Sequence, residues 1–268
     1  MPLEEAFRDL RVRGEGGIIA FLTGGDPAPE ATPRLVEAVV EGGADIVELG
    51  IPFSDPIADG PTIQAANVRA LKAGTNPLKV LEMAEEAKRR IDVRIALLTY
   101  YNPVYHIGLE RFMKSAAKRG VEGIVIPDLP VDESASYKRA AERHGLDTIF
   151  LATPSTPKKR LERIAEQTSG FLYLVALHGV TGAREELSEV TLKALERVRL
   201  EARYTPPVAV GFGISKPEHV RAVMDSGADA AIVGSAIVKL IEKNQDLDVT
   251  AEAIKAYVES LKKAACRS

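Results

Sequence analysis

The sequence predicts an α/β fold in which eight parallel strands and their helices close into a (β/α)8 barrel. Three observations carry this. Eight short aliphatic runs alternate with longer segments of helical period, the pattern of βα units around a parallel sheet. A glycine-led module recurs along the chain. The length of 268 residues is close to the roughly 250 that such a barrel takes, and no Pro-, Gly- or Ser-rich linker divides it. The expectation is one domain over residues 1–268.

In chain order, the strand-like runs are Gly17 to Thr23, Ile46 to Gly50, Val93 to Thr99, Gly123 to Pro127, Thr148 to Ala152, Phe171 to Val175, Val208 to Gly211 and Ala230 to Gly234. Helical period marks Pro33 to Val40, Leu78 to Arg90, Leu109 to Lys118, Glu133 to Glu142, Lys158 to Glu166 and Glu218 to Ser226. The recurring module is Glu-Gly-Gly-Ala-Asp-Ile-Val-Glu-Leu-Gly (41 to 50), echoed by Asp-Ser-Gly-Ala-Asp-Ala-Ala-Ile-Val-Gly (225 to 234) and more weakly by Arg119-Gly120-Val121-Glu122-Gly123-Ile124-Val125-Ile126. Each copy places a glycine just past a helix, where a positive φ is needed, and then enters a buried strand.

Composition narrows the function classes. Hydrophobic residues make up 46% and charged residues 27%, enough to build a substantial core. A net charge of -3 and scattered Lys and Arg give no footprint for a nucleic acid or an anionic membrane. No apolar stretch approaches the ~20 residues of a membrane span, and the N-terminus lacks the apolar core of a signal peptide. The one cysteine, Cys266, leaves no intramolecular disulfide and no cysteine metal site. His106, His144, His178 and His219 have no ligand-like spacing, so no metal is expected. A soluble, cytoplasmic protein is the expectation.

The C-terminal ends of barrel strands and the loops after them form the face where such folds do chemistry. The second run ends Glu48-Leu49-Gly50 and continues Ile51-Pro52-Phe53-Ser54-Asp55-Pro56-Ile57-Ala58-Asp59-Gly60-Pro61-Thr62-Ile63-Gln64. Glu48, among aliphatic residues at a strand end, is a candidate inward-pointing acid or base. Two prolines stiffen the loop, and Gly60-Pro61 reads as a turn into a helix with proline at its first position. Asp59 is thereby held above the barrel mouth, although on spacing alone both aspartates of the loop could equally be turn residues.

The seventh run ends Gly211-Phe212-Gly213-Ile214-Ser215, and the eighth ends Gly234-Ser235-Ala236 ahead of a helical stretch from Ile237 to Lys243. In barrels these two loops and a short extra helix often hold phosphate, because small residues let backbone N–H groups approach the oxygens and the helix dipole adds attraction. Ligand-free closing turns would also explain the glycines. Phe21, Leu98, Tyr100 and Ile149, at or near strand ends, could form a flat apolar slot; Ile149 reads better as barrel core.

The segment Leu-Gly-Ile-Pro-Phe-Ser-Asp-Pro-Ile-Ala-Asp-Gly-Pro-Thr-Ile-Gln (49 to 64), with Glu48 before it, resembles the signature of the tryptophan synthase α subunit family. Gly179-Val180-Thr181-Gly182 is similar to that family's mobile lid. The resemblance covers nearly the whole chain and implies a single-domain TIM barrel with extra N-terminal and phosphate-site helices. It implies retro-aldol cleavage of indole-3-glycerol phosphate to indole and glyceraldehyde 3-phosphate. Glu48 and Asp59 would be the catalytic carboxylates, and Tyr173 and Thr181 would support Glu48 and the lid. Gly182, Gly213, Gly234 and Ser235 would take the phosphate, and Phe21, Leu98 and Tyr100 the indole. It also implies a β-subunit partner in an α2β2-type complex, with pyridoxal phosphate in that partner and no cofactor in this chain. Glu48, in an apolar mouth, is expected to favour its protonated form, and Asp59, on a wetter loop, its ionised form. The chain departs from the family at Ala176 and Leu177, where relatives often carry Ser or Arg, and at Ala20, where many have Pro.

Two rival readings remain at this level. Another phosphate-binding barrel of aromatic amino-acid biosynthesis would be expected to use a Lys or Cys acid/base at a strand end, and none stands at the first two strands. A barrel that only activates its partner would fit loss of Glu48 or Asp59, and both are present.

Overall fold

The computed structural model describes residues 2–176, 189–201, 206–244 and 246–266. Its strands are β1 (Gly17–Thr23), β2 (Ile46–Gly50), β3 (Arg94–Leu98), β4 (Gly123–Val125), β5 (Asp147–Ile149), β6 (Leu151–Ala152), β7 (Leu172–Val175), β8 (Val208–Gly211) and β9 (Ala230–Val233). The helices are α1 (Pro2–Arg13), α2 (Thr32–Glu41), α3 (Pro61–Lys72), α4 (Pro77–Arg90), α5 (Tyr101–Ile107), α6 (Leu109–Lys118), α7 (Ala135–Arg143), α8 (Lys158–Gln167), α9 (Glu189–Glu201), α10 (Pro217–Asp225), α11 (Ser235–Lys243) and α12 (Leu247–Ala265). All strand pairs are parallel, in the order β5-β4-β3-β2-β1-β9-β8-β7-β6.

The fifth run, expected as one strand from Thr148 to Ala152, is interrupted at Phe150, so β5 and β6 are two halves of one stave. β5 pairs with β4, β6 pairs with β7, and Tyr173 N–H donates to the Phe150 carbonyl at 3.0 Å. One stave is thus bonded on both sides and the ring closes with eight. Phe150 itself turns outward and meets the edge of Tyr137 from α7, with ring centroids 5.8 Å apart. The helices named from sequence are all present, and α5, α9 and α12 join them.

Period-2 alternation sorts each strand's side chains between the barrel interior and the helix layer. Ile19, Ile46, Ala96, Val125, Ile149, Ala209 and Ala230 fill the interior, and α1 closes its floor with Leu3, Phe7 and Leu10. Each of these three is at most 2% exposed, so each apolar side chain adds roughly 1.5–3 kcal/mol of burial. Ile149 is core, as its position suggested. Ala20 points into the helix layer with Leu35 and Val36, away from the interior, so its departure from the family pattern lies outside the barrel mouth.

The recurring glycine module has a shared geometry at the floor. Gly43, Gly120 and Gly227 all have positive φ (97°, 79° and 94°), which glycine adopts without strain. The acidic residue two positions later then clasps the start of the preceding strand. Asp45 N–H donates to the Ile18 carbonyl at 2.9 Å while Asp45 Oδ2 accepts from Ile18 N–H at 2.8 Å. Glu122 makes the same reciprocal pair with Ile95 (2.9 and 3.0 Å), and Asp229 with Val208 (2.8 and 2.7 Å). Lys262, Lys88 with Arg94, and Arg199 neutralise the three carboxylates. Gly145 (φ 68°) and Asp147 form a fourth, modified copy, whose carboxylate instead accepts from Leu3 N–H at 3.0 Å and ties α1 to the floor.

Candidate active site

Glu48 occupies an interior position of β2, in register with Phe21 of β1 and Ala96 of β3. It is fully buried, and among the described residues neither carboxyl oxygen has a hydrogen-bond partner. A buried polar group in that condition is costly and calls for a functional reason. Desolvation, reinforced by the nearby Asp59 charge, pushes its pKa from 4.5 up to about 8. The acid is therefore proton-loaded at neutral pH and close to the range where it can exchange.

The loop after β2 is fixed from several sides. Tyr100, fully buried, stacks on Phe53 at 5.3 Å, and its hydroxyl accepts from Ala58 N–H at 3.0 Å. Asp59 N–H donates to the Pro56 carbonyl at 3.1 Å, and Gln64 returns from α3 to the Asp59 carbonyl at 2.8 Å. Pro61 begins α3, as the Gly-Pro pair predicted. The Asp59 carboxylate accepts from Asn67 Nδ2 at 3.0 Å. Burial raises its pKa too, while Asn67 and the Tyr100 hydroxyl pull it back. The loop is drier than expected, yet the two carboxylates differ as their settings dictate: Asp59 has donors that favour its charge, and Glu48 has none.

Both acids line a cavity of about 670 Å³ at the C-terminal mouth of the barrel. Phe21, Leu98, Tyr173, Phe212, Ile63 and Ile232 give it apolar walls, and Gly213, Gly234, Ser235, Lys239 and Lys243 lie along the same cavity. The volume falls in the usual range for a small-ligand site. Two glycines make room for the aromatic walls. A Cβ on Gly50 would come within 2.7 Å of the Phe21 ring, and one on Gly211 within 2.6 Å of the Tyr173 ring. Tyr173 is buried beside Glu48 and Asp59, which, after desolvation, hold its hydroxyl protonated well above the ordinary range.

After Gly211 the backbone turns through two successive positive-φ residues, Phe212 (72°) and Gly213 (76°). Positive φ is strained for phenylalanine, and such strain gathers at ligand sites. Phe212 packs edge-on against Tyr173 at 6.0 Å and stays 38% exposed at the mouth. Ser235 is the first residue of α11, so its helix N-terminus opens on the cavity.

Of the residues singled out in the sequence, Glu48, Asp59, Tyr173, Gly213, Gly234, Ser235, Phe21 and Leu98 meet around this one cavity, and Ala176 joins them. Tyr100 is absent from its lining and serves the loop instead. Thr181 and Gly182, with Leu177 and His178, lie outside the described residues. Asn67, Lys239, Lys243 and the strained Phe212 were not anticipated. Asn67 had a readable signal, because Ile63, Ala66, Asn67 and Ala70 are the buried face of α3 and it is the polar member of that stripe. Among the described residues no group of three or more His, Cys, Asp or Glu could hold a metal ion, and no helix is long and apolar enough to cross a membrane.

Comparison with known proteins matches the chain along nearly its whole length. The family model described as Tryptophan synthase alpha chain matches residues 7–266. The tryptophan synthase alpha chain of Methanosarcina barkeri is 48% identical over 260 residues, covering 96% of both chains, and that of Arabidopsis thaliana is 42% identical over 262 residues, covering 98% of this chain and 94% of its own. Among solved structures, a chain of the tryptophan synthase α2β2 complex from the hyperthermophile Pyrococcus furiosus superposes with a TM-score of 0.87 at 43% identity, covering 92% of this chain and 98% of that one. An Aquifex aeolicus structure gives 0.88 at 35% identity over 99% of each chain. With the family matched from end to end and the barrel superposed on its solved members, the chain belongs to the tryptophan synthase alpha chain family.

Proposed function

We propose that this chain is a carbon–carbon lyase that cleaves indole-3-glycerol phosphate to indole and glyceraldehyde 3-phosphate, supplying indole for L-tryptophan synthesis. The observation that carries the reading is Glu48: a fully buried carboxyl, without a hydrogen-bond partner among the described residues, held protonated at neutral pH on the wall of an apolar cavity that also carries Asp59 and a helix N-terminus.

In this reading the indole ring lies between Phe21, Leu98 and Tyr173. Glu48 gives its proton to indole C3, which turns the ring into an electron sink. The glycerol hydroxyl on the adjoining carbon loses its proton as the carbon–carbon bond breaks, its oxygen becoming the aldehyde of glyceraldehyde 3-phosphate. The electron pair of that bond returns to the ring and restores indole. Glu48, now a carboxylate, is the base at hand to take the hydroxyl proton. Asp59 accepts the indole N–H and stabilises the positive charge that grows there. Gly213, Gly234 and Ser235 take the phosphate through backbone N–H groups and the α11 dipole, with Gly182 assigned to the same group by family likeness. Thr181 is assigned by the same likeness to a lid contact with Asp59. No cofactor in this chain takes part. The partner is a tryptophan synthase β subunit, the site of pyridoxal phosphate, and a reducing cytoplasm suits the free, exposed Cys266 thiol.

The test is Glu48→Gln, which keeps shape and removes the titrating group. Turnover in an indole-release assay should fall by at least about 10²-fold with the fold intact. Near-normal indole release would end the assignment. Ser235→Ala should weaken binding of glycerol 3-phosphate more than binding of indole, and calorimetric titration of the two ligands distinguishes this from a general loss.

A further inference from the structure

One guanidinium, itself outside the cavity lining, ties together the turn after β1 and two helices, α3 and α11, that line the cavity. Asp26, in the turn after β1, is fully buried. Arg69 of α3 grips it with both arms of its fork, Nε to Oδ1 at 2.7 Å and Nη2 to Oδ2 at 2.9 Å. The third nitrogen, Nη1, reaches Glu242 Oε1 of α11 at 3.2 Å. Two residues before Arg69 on the same helix, Asn67 donates to the Asp59 carboxylate. On α11, Ser235, Lys239 and Lys243 stand at the cavity.

Between these polar ends, α3 and α11 meet through an apolar cluster in which Ile63 and Ala66 pack with Val238 and Phe21. Apolar contact is non-directional, so it presses the helices together without fixing how far one has slid along the other. A bidentate ion pair fixes position, because both arms of the fork must meet both carboxylate oxygens. We propose that Arg69 is a positioning residue: by locking α3 to the β1 turn and to α11, it holds Asn67, and through Asn67 the Asp59 carboxylate, in register with the phosphate end of the cavity. The proposal rests on the role given to Asp59 above.

A guanidinium that only neutralises a buried aspartate would also stabilise the fold, so stability alone does not test the idea. Five full-length variants do: Arg69→Met, Arg69→Lys, Asn67→Ala, and each of the two Arg69 changes combined with Asn67→Ala. Steady-state indole formation gives kcat and KM, and thermal unfolding is followed in parallel. Arg69→Met should lower kcat by about 10- to 100-fold, the scale of a small misplacement of a catalytic group, while KM stays within about twofold. Arg69→Lys keeps the charge and loses the fork, so its kcat should fall by a smaller factor. In the Asn67→Ala background both Arg69 changes should cost almost nothing further, since their route to Asp59 is already cut. Equal losses of kcat in both backgrounds would overturn the proposal, as would a folded Arg69→Met or Arg69→Lys with wild-type kcat. If Arg69→Met does not fold, the Arg69→Lys pair decides by the same rule. Asp59→Asn separates the two layers: normal activity in that variant removes the Asp59 role itself, whereas its inactivity leaves the cycle to judge Arg69 alone.

Discussion

Glu48 makes a statement about stability as well as chemistry. Its pKa is raised from 4.5 to about 8 in the folded chain, so folding is undisturbed by this group below pH 4.5, where both states are protonated. As pH climbs from 4.5 through about 8 the unfolded chain ionises first, and the native state loses stability progressively. Glu48→Gln removes that loss. Chemical denaturation should find the variant more stable than wild type by roughly 5 kcal/mol at pH 9 and equal to it at pH 4; no difference at pH 9 would mean that the carboxyl is not desolvated in solution. A second residue-scale expectation concerns Gly211, whose missing side chain is the space that Tyr173 fills. Gly211→Ala should destabilise the fold by about 1–3 kcal/mol and lower activity by shifting the Tyr173 wall, readable as a lower melting temperature with a lower kcat. Glu48 and Asp59 were legible as candidates because a carboxylate at an aliphatic strand end and one in a proline-stiffened loop are local facts, and only the likeness of residues 48–64 to the family signature set them apart from structural carboxylates. Phe212 was not, since its positive φ depends on how the chain must turn from β8 toward α10, and the hold of Tyr100 on the loop was hidden because its hydroxyl's partner, Ala58, lies 42 residues away.

The elements followed from periodicity almost to the residue: β1, β2 and β8 begin and end where the aliphatic runs do. The fifth stave did not, because Thr148 to Ala152 is continuous in composition and only its two different neighbours, β4 and β7, break it. The glycine module was legible as a repeat, but the clasp it makes was hidden, since a carboxylate reaching back to another strand's N–H leaves no local pattern. That clasp predicts a dissociation of stability from activity. Asp45→Ala strands the Ile18 N–H at the floor, the far end of the barrel from the cavity, and leaves the Lys262 ammonium only Glu15 and the Gly16 carbonyl. It should lose about 1–3 kcal/mol of stability while kcat stays unchanged. A fall in kcat that exceeds the fall in folded fraction would contradict the separation of floor from mouth.

For the molecule as a whole, the proposed partner is the property most open to direct assay. Ile57, in the loop after β2, and Tyr105, on α5 after β3, leave 83% and 72% of their surface exposed at the mouth end of the barrel. Mixing the chain with a tryptophan synthase β subunit should give a complex on size-exclusion chromatography and faster indole formation, because a partner that binds the active arrangement of the site better than any other shifts the population toward it. Ile57→Asp should weaken that complex and leave the isolated chain's rate unaltered; an unaffected complex would exclude this face. The clasped floor has a consequence for descent. Since Asp45, Glu122 and Asp229 each carry within their own βα unit the latch that sets its stagger against a neighbour, a duplicated or transplanted unit brings its alignment with it. Mutation was therefore free to rewrite the loops at the opposite end without undoing the joinery below, and a chimera that swaps one such unit between relatives should still close into a ring.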